Sequence, residues 1–101
     1  MPASLDLRFD RFYSYQELTR ALEQLAAFAP DRVRRHSIGR SPEGRELWML
    51  TVTDFTRGDP DRKPAYLIHG NLHAQELSGT TAALYVAHYL VTDDTPELQR
   101  L

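Results

Sequence analysis

The most demanding stretch of the chain is PAYLIHGNLHAQELSGTTAALYVAHYLV, residues 64–91. It opens with PAYLIHG, a short and nearly all-apolar run ending at Gly70, the pattern of a strand buried on both faces of a sheet. It closes with LSGTTAALYVAHYLV, apolar almost all round, the pattern of a helix packed deep rather than laid on a surface. Gly79 inside that helix lets another backbone come close. A strand and a helix that each need cover on every side confine the chain to a layered α/β architecture.

The rest of the sequence supplies some of that cover. YSYQELTRALEQLAAFAP reads as a helix with both ends marked. Ser14 is the N-cap, Glu17 completes a capping box, and Tyr13 and Leu18 stand where a hydrophobic staple would sit. Leu18, Leu22, Leu25 and Ala29 recur at helical spacing, and Pro30 stops the run. RVRRHSIGRS and RELWMLTVTD flank the turn residues PEG and read as a β-hairpin. Residues 46–53 form its stronger strand, with Trp48, Leu50 and Val52 on one face, while Arg45 and Glu46 read as hairpin surface residues. FTRGDPDRK is a polar surface loop. TPELQRL reads as the opening of a further helix, with Thr95 as cap and Pro96 in the first turn. A helix just begun when the sequence stops at Leu101 leads to the expectation that the chain is a fragment of something longer. The expected inventory is about three strands and two to three helices in one unit, 1–101, with 1–11 as an extended leader. One capped helix and three strands are too few to cover the apolar helix, so exposed apolar surface and self-association are expected.

Composition narrows the function. Twelve lysines and arginines stand against 14 acidic residues, a net charge of −2, which offers no electrostatic reason for nucleic acid or an anionic membrane as partner. The short run Arg32, Arg34, Arg35 reads as a solvated strand face. Cysteine is absent, so disulfides and thiolate sites are excluded, and a transition metal must be held by histidine and carboxylate. No apolar stretch resembles a signal peptide or approaches the ~20 residues of a membrane span. The chain therefore reads as cytoplasmic, with no membrane partner.

The chemistry sits in HGNLHAQELSG, where His73 and Glu76 are three residues apart. Taken alone the pair is weak, because the chain's histidines and glutamates yield roughly a quarter of such a match by chance. Its context is stronger. In α/β sheets, ligand sites form beyond the carboxyl ends of strands, and two side chains three apart around a helix start can point to one spot. Imidazole nitrogen and carboxylate oxygen are what zinc accepts when thiolates are missing, at about 2.0 to 2.2 Å. The same two residues also fit a simple hydrogen-bonded pair at a helix start, with Glu76 favoured by the helix dipole. Asn71 reads as a turn former. His69 reads as a core residue or a support for the ligands, and His36 and His88 as structural or surface residues.

IHGNLHAQELSGT resembles the first zinc-binding motif of the zinc carboxypeptidases, where an apolar strand runs into Gly-Asn-x-His-Ala-x-Glu. The segment from YSYQELTRAL through IGRSPEGREL to LTVT resembles the opening of the same family. This resemblance implies that the chain is the N-terminal part of a layered α/β/α domain with a mixed sheet. It implies a hydrolase of C-terminal peptide bonds working through metal-activated water, with one Zn2+ bound by His73 and Glu76. The third ligand and the general base of that family lie further along, so no catalytic residue is assigned here and the chain alone is expected to be inactive. Gln75 stands where many peptide-cleaving members carry a substrate-contacting arginine. Its neutral amide weakens the attraction for an anionic substrate, which keeps small amides beside peptides as substrates. Two further readings stay open: a zinc-dependent amidohydrolase or deacylase of the same superfamily, and a non-catalytic binding domain that retains the half-site.

Overall fold

The computed structural model describes residues 5–101. Helix α1 spans Tyr15–Phe28, strands β1 and β2 span Val33–Arg40 and Glu46–Val52, helix α2 spans Leu77–Thr92, and a short helix α3 spans Pro96–Gln99. One turn of 3-10 helix, Pro60–Arg62, sits in the loop after β2. The mixture is α/β as expected, but the described residues hold two strands rather than three.

Helix α1 starts where the capping box places it. Ser14 Oγ accepts from the Glu17 amide at 3.1 Å, and Glu17 Oε1 accepts from the Ser14 amide at 3.0 Å, so two otherwise orphaned amides are satisfied. Its apolar stripe buries Ala21, Leu22 and Leu25, the last with no exposed surface. The hairpin pairs antiparallel from Val33 opposite Val52 to Ser37 opposite Trp48. Trp48, Leu50 and Val52 turn their common face to the core as the alternation predicts. Gly44, at φ +83, closes the turn, where its amide donates to the Ser41 carbonyl at 2.9 Å.

The arginine run is not a solvated face. Arg32 donates to the Leu98 carbonyl at 2.8 Å and helps tether α3. Arg35 lies 4.0 Å over the Trp48 ring and pairs with Glu23 at 3.1 Å. Arg34 is the exposed member, stacked 3.8 Å over Phe55. A long side chain on a short hairpin is better used to cover an aromatic ring than left free. At α3, Thr95 occupies the cap position without a side-chain bond, and its amide donates instead to Asp93 Oδ1 at 2.9 Å.

Two expectations fail together. PAYLIHG is not a buried strand: residues 64–70 carry no regular secondary structure, with Tyr66, Leu67 and Ile68 92%, 73% and 48% exposed. A strand needs a neighbour for its amides and carbonyls, and among the described residues the sheet consists of β1 and β2 alone. Helix α2, expected to be packed deep, is covered on one side only. Leu84 and Val91, two turns apart, are buried, while Leu77, Tyr85 and Tyr89 stay exposed. Ahead of α1, Leu5, Leu7 and Phe9 alternate inward against the core, so the described part of the expected leader is extended but packed. The Phe9 ring meets Tyr85 edge-on with centroids 5.1 Å apart and lies 5.1 Å from the imidazole of His88. No helix among the described residues is long and apolar enough to cross a membrane.

Candidate metal centre

A backbone crossing positions the candidate site. Where the apolar segment ends, Gly70 lies so close to Gly79 of α2 that a Cβ on Gly70 would stand 2.2 Å from the Gly79 carbonyl oxygen. A Cβ on Gly79 would stand 2.7 Å from the Asn71 amide nitrogen. Only paired glycines allow that approach. The close approach expected at Gly79 is present, and the structure identifies Gly70, the glycine ending the apolar run, as its partner. The chain then turns through Asn71 at φ +63, a left-handed conformation that asparagine tolerates better than most residues. Asn71 is thus the turn former expected, and its Oδ1 is buried without a hydrogen-bond partner.

The turn delivers His73 and Glu76 to one spot. The Glu76 amide donates to the His73 carbonyl at 2.9 Å, and the Gly79 amide donates to the Glu76 carbonyl at 3.0 Å, which winds residues 73–79 into the start of α2. His73 Nδ1 and Glu76 Oε1 lie 3.0 Å apart. Glu76 occupies the N-cap position, but its side chain makes no capping hydrogen bond. The carboxylate faces the imidazole instead of the free helix amides. Both side chains are largely open to solvent, at 68% and 58% exposed.

The donor set can be tested against zinc. Two ligand atoms about 2.1 Å from a tetrahedral ion stand about 3.4 Å apart, and the observed 3.0 Å falls only a few tenths short. One nitrogen and one oxygen of the right kind therefore converge at a workable spacing. They fit as half of a site. Among the described residues no group of three His, Asp or Glu side chains comes together.

The other candidates do not join them. His69, expected in the core or in support of the ligands, is exposed at the end of the unpaired segment, because no neighbouring strand covers it. His36 is exposed on β1, 3.3 Å from the Thr51 hydroxyl, and His88 rests against Phe9, in line with the expected surface or structural placement. Gln75 is exposed between the two ligand candidates.

Sequence comparison supplies the context for this pair. Residues 18–101 match the sequence model describing the family of zinc carboxypeptidases. Over 106 residues the chain is 32% identical to carboxypeptidase Z of Homo sapiens, an alignment that takes in 100% of this chain and 16% of that protein. It is 34% identical to carboxypeptidase D of Homo sapiens over 93% of this chain and 8% of that protein. A zinc carboxypeptidase of Saccharothrix mutabilis subsp. capreolus is 37% identical over 64% of this chain and 15% of its own length. The chain thus spans between 8% and 20% of the length of such relatives. A family match over most of the chain, including the segment that carries His73 and Glu76, settles the assignment: the chain belongs to the zinc carboxypeptidase family.

Proposed function

We propose that this chain is the opening part of a zinc-dependent carboxypeptidase, and that His73 and Glu76 are two of the protein ligands of its one Zn2+. The observation that carries this reading is the convergence of His73 Nδ1 and Glu76 Oε1 to 3.0 Å, exposed and just beyond the Gly70–Gly79 crossing. Such an ion, when bound, supplies Lewis-acid polarisation of a carbonyl and a water acidified toward pKa ~7. His73 serves it as a neutral imidazole and Glu76 as a carboxylate, so binding releases a proton wherever His73 is charged. The glycine crossing holds the turn that aims both side chains. Gln75, exposed between them, offers an amide donor to a substrate carbonyl.

A catalytic zinc needs three protein ligands and an open position. The third ligand and the general base come from outside residues 1–101, and these residues alone hydrolyse nothing. Peptides cleaved at the C-terminal bond are the substrate class. The relatives at 30% identity or more are named as carboxypeptidases, which favours peptides over small amides.

The ligand assignment is tested by titrating the chain with zinc chloride while following the imidazole resonances of its four histidines by NMR. His73 should respond first and His36, His69 and His88 little, and the response should vanish in Glu76→Gln. A first response at another histidine, or an unchanged response in Glu76→Gln, would remove the assignment.

A further inference from the structure

We propose that residues 5–13 form a clamp that positions the metal centre, holding α2 against the Gly70 crossing so that Glu76 stays turned to His73. This rests on the reading of His73 and Glu76 as ligands and adds to it positioning residues on the far side of the helix: Phe9, Thr81 and the Arg11 carbonyl. Three contacts join the segment to α2. The Thr81 hydroxyl donates to the Arg11 carbonyl at 3.1 Å, across 70 positions of sequence. The Phe9 ring meets Tyr85 edge-on and His88 at a tilt, both with centroids 5.1 Å away. Thr81, Tyr85 and His88 stand at i, i+4 and i+7, one stripe along the helix. Gly79, which receives the Gly70 crossing, precedes Thr81 by two residues. A helix turns about 100° per residue, so Gly79 lies about 200° round from Thr81, on the other side. The opening turns of α2 are thus gripped from two sides, by backbone at Gly79 and by residues 5–13 at Thr81.

The segment can hold α2 because it is itself fixed to α1. The Asp6 amide donates to Gln24 Oε1 at 3.3 Å, and Arg11 pairs with Glu17 at 3.2 Å. Within the segment, the Arg8 amide donates to the Tyr13 hydroxyl at 3.0 Å, and that hydroxyl donates to the Arg8 carbonyl at 2.6 Å. Leu5, Leu7 and Phe9 pack against the core. The buried anchors of α2, Leu84 and Val91, begin about two turns past Glu76. Thr81 is nearer, about 7.5 Å along the axis from Glu76. The turn that presents the carboxylate therefore depends on the Gly79 and Thr81 grips more than on the core.

Amide hydrogen exchange without zinc, followed by titration with zinc chloride, tests the clamp in Thr81→Val. Valine keeps the shape of threonine and removes the hydroxyl. The amides of Glu76 and Gly79, which close the turn through the His73 and Glu76 carbonyls, should exchange about fivefold faster, the worth of one hydrogen bond. Those of α1 should be unchanged, and Thr81→Ser should restore the parent rates. Phe9→Ala removes the ring contacts and should act in the same direction, lowering zinc affinity about tenfold as read from the His73 imidazole resonance. Faster exchange throughout both helices in Thr81→Val would make the contact a general support of the fold and overturn the clamp. Unchanged exchange at Glu76 and Gly79, no rescue by serine, or unchanged zinc affinity in Phe9→Ala would overturn it as well. A first zinc response of the parent at a histidine other than His73 would remove the ligand assignment, and the exchange rates would still decide whether residues 5–13 hold the turn.

Discussion

The substitution Gly70→Ala separates what holds the fold from what aims the site. A Cβ at this position would lie 2.2 Å from the Gly79 carbonyl oxygen and 2.5 Å from its carbonyl carbon. Ordinary van der Waals contact begins near 3.4 Å, so the two backbones must part by about 1 Å. Inside a close-packed core such crowding costs about 1–3 kcal/mol. Here the two sides of the contact differ in freedom. Helix α2 is anchored through Leu84 and Val91, whereas residues 64–70 are unpaired and exposed. The segment should yield and the core should not, which keeps the loss of global stability below about 1 kcal/mol.

The same movement displaces the turn that carries His73 by about 1 Å, twice the ~0.5 Å tolerance of a preorganised site. Zinc affinity should fall about tenfold or more, as it does when the supports of metal ligands are lost. Urea unfolding followed through Trp48, the single tryptophan and a residue packed on the core, reports the first quantity. Zinc titration reports the second. Gly79→Ala is the matched comparison: its Cβ would stand 2.7 Å from the Asn71 amide, but the helix gains about 1 kcal/mol of propensity. Its stability should hold or rise while its zinc affinity falls. A Gly70→Ala variant destabilised by 2 kcal/mol or more, or one with unchanged zinc affinity, would refute the argument that the crossing serves the site rather than the core.

Four other outcomes follow from the structure. Leu25→Ala empties a fully buried position in α1 and should cost about 3 kcal/mol, a large part of the stability of a small domain, read from the urea midpoint. Ser14→Ala removes the N-cap oxygen and should cost about 1 kcal/mol. Glu17 in the same box has its pKa held below the usual glutamate value, first by the Ser14 amide and then by the Ser14 hydroxyl. Its contribution is present above the ordinary value of about 4.3 and is lost as pH falls through the lowered one. Glu17→Gln should therefore flatten the acid limb of the helix signal in circular dichroism, and an unaltered acid limb would count against the box. Leu67→Lys, at a position 73% exposed, should change stability by no more than about 0.5 kcal/mol. A larger loss in the same urea assay would mean that residues 64–70 pack as a buried strand after all.

Local features were legible in the sequence wherever their partners lie nearby in the chain. The capping box needs only Ser14 and Glu17, and the hairpin only two runs and a turn. Both appear as read. The pair His73 and Glu76 belongs to the same class, since three residues around a helix start suffice to bring an imidazole and a carboxylate together. The glycine crossing was half legible. Gly79 announced a close approach, but only the structure identified Gly70 as what approaches.

What the sequence by itself determined, then, is which segments are helical, where the hairpin lies, and which two side chains meet beside α2. Short-range sterics and hydrogen bonding decide those matters, and they do not depend on the rest of the molecule. Only the tertiary structure decided burial. PAYLIHG and α2 carry the apolar pattern of elements covered on every side, yet burial requires surfaces to cover them, and the described residues supply one face of α2 and no strand beside residues 64–70. Apolar patterning states what a segment needs, whereas its exposure depends on what other elements are there to meet it.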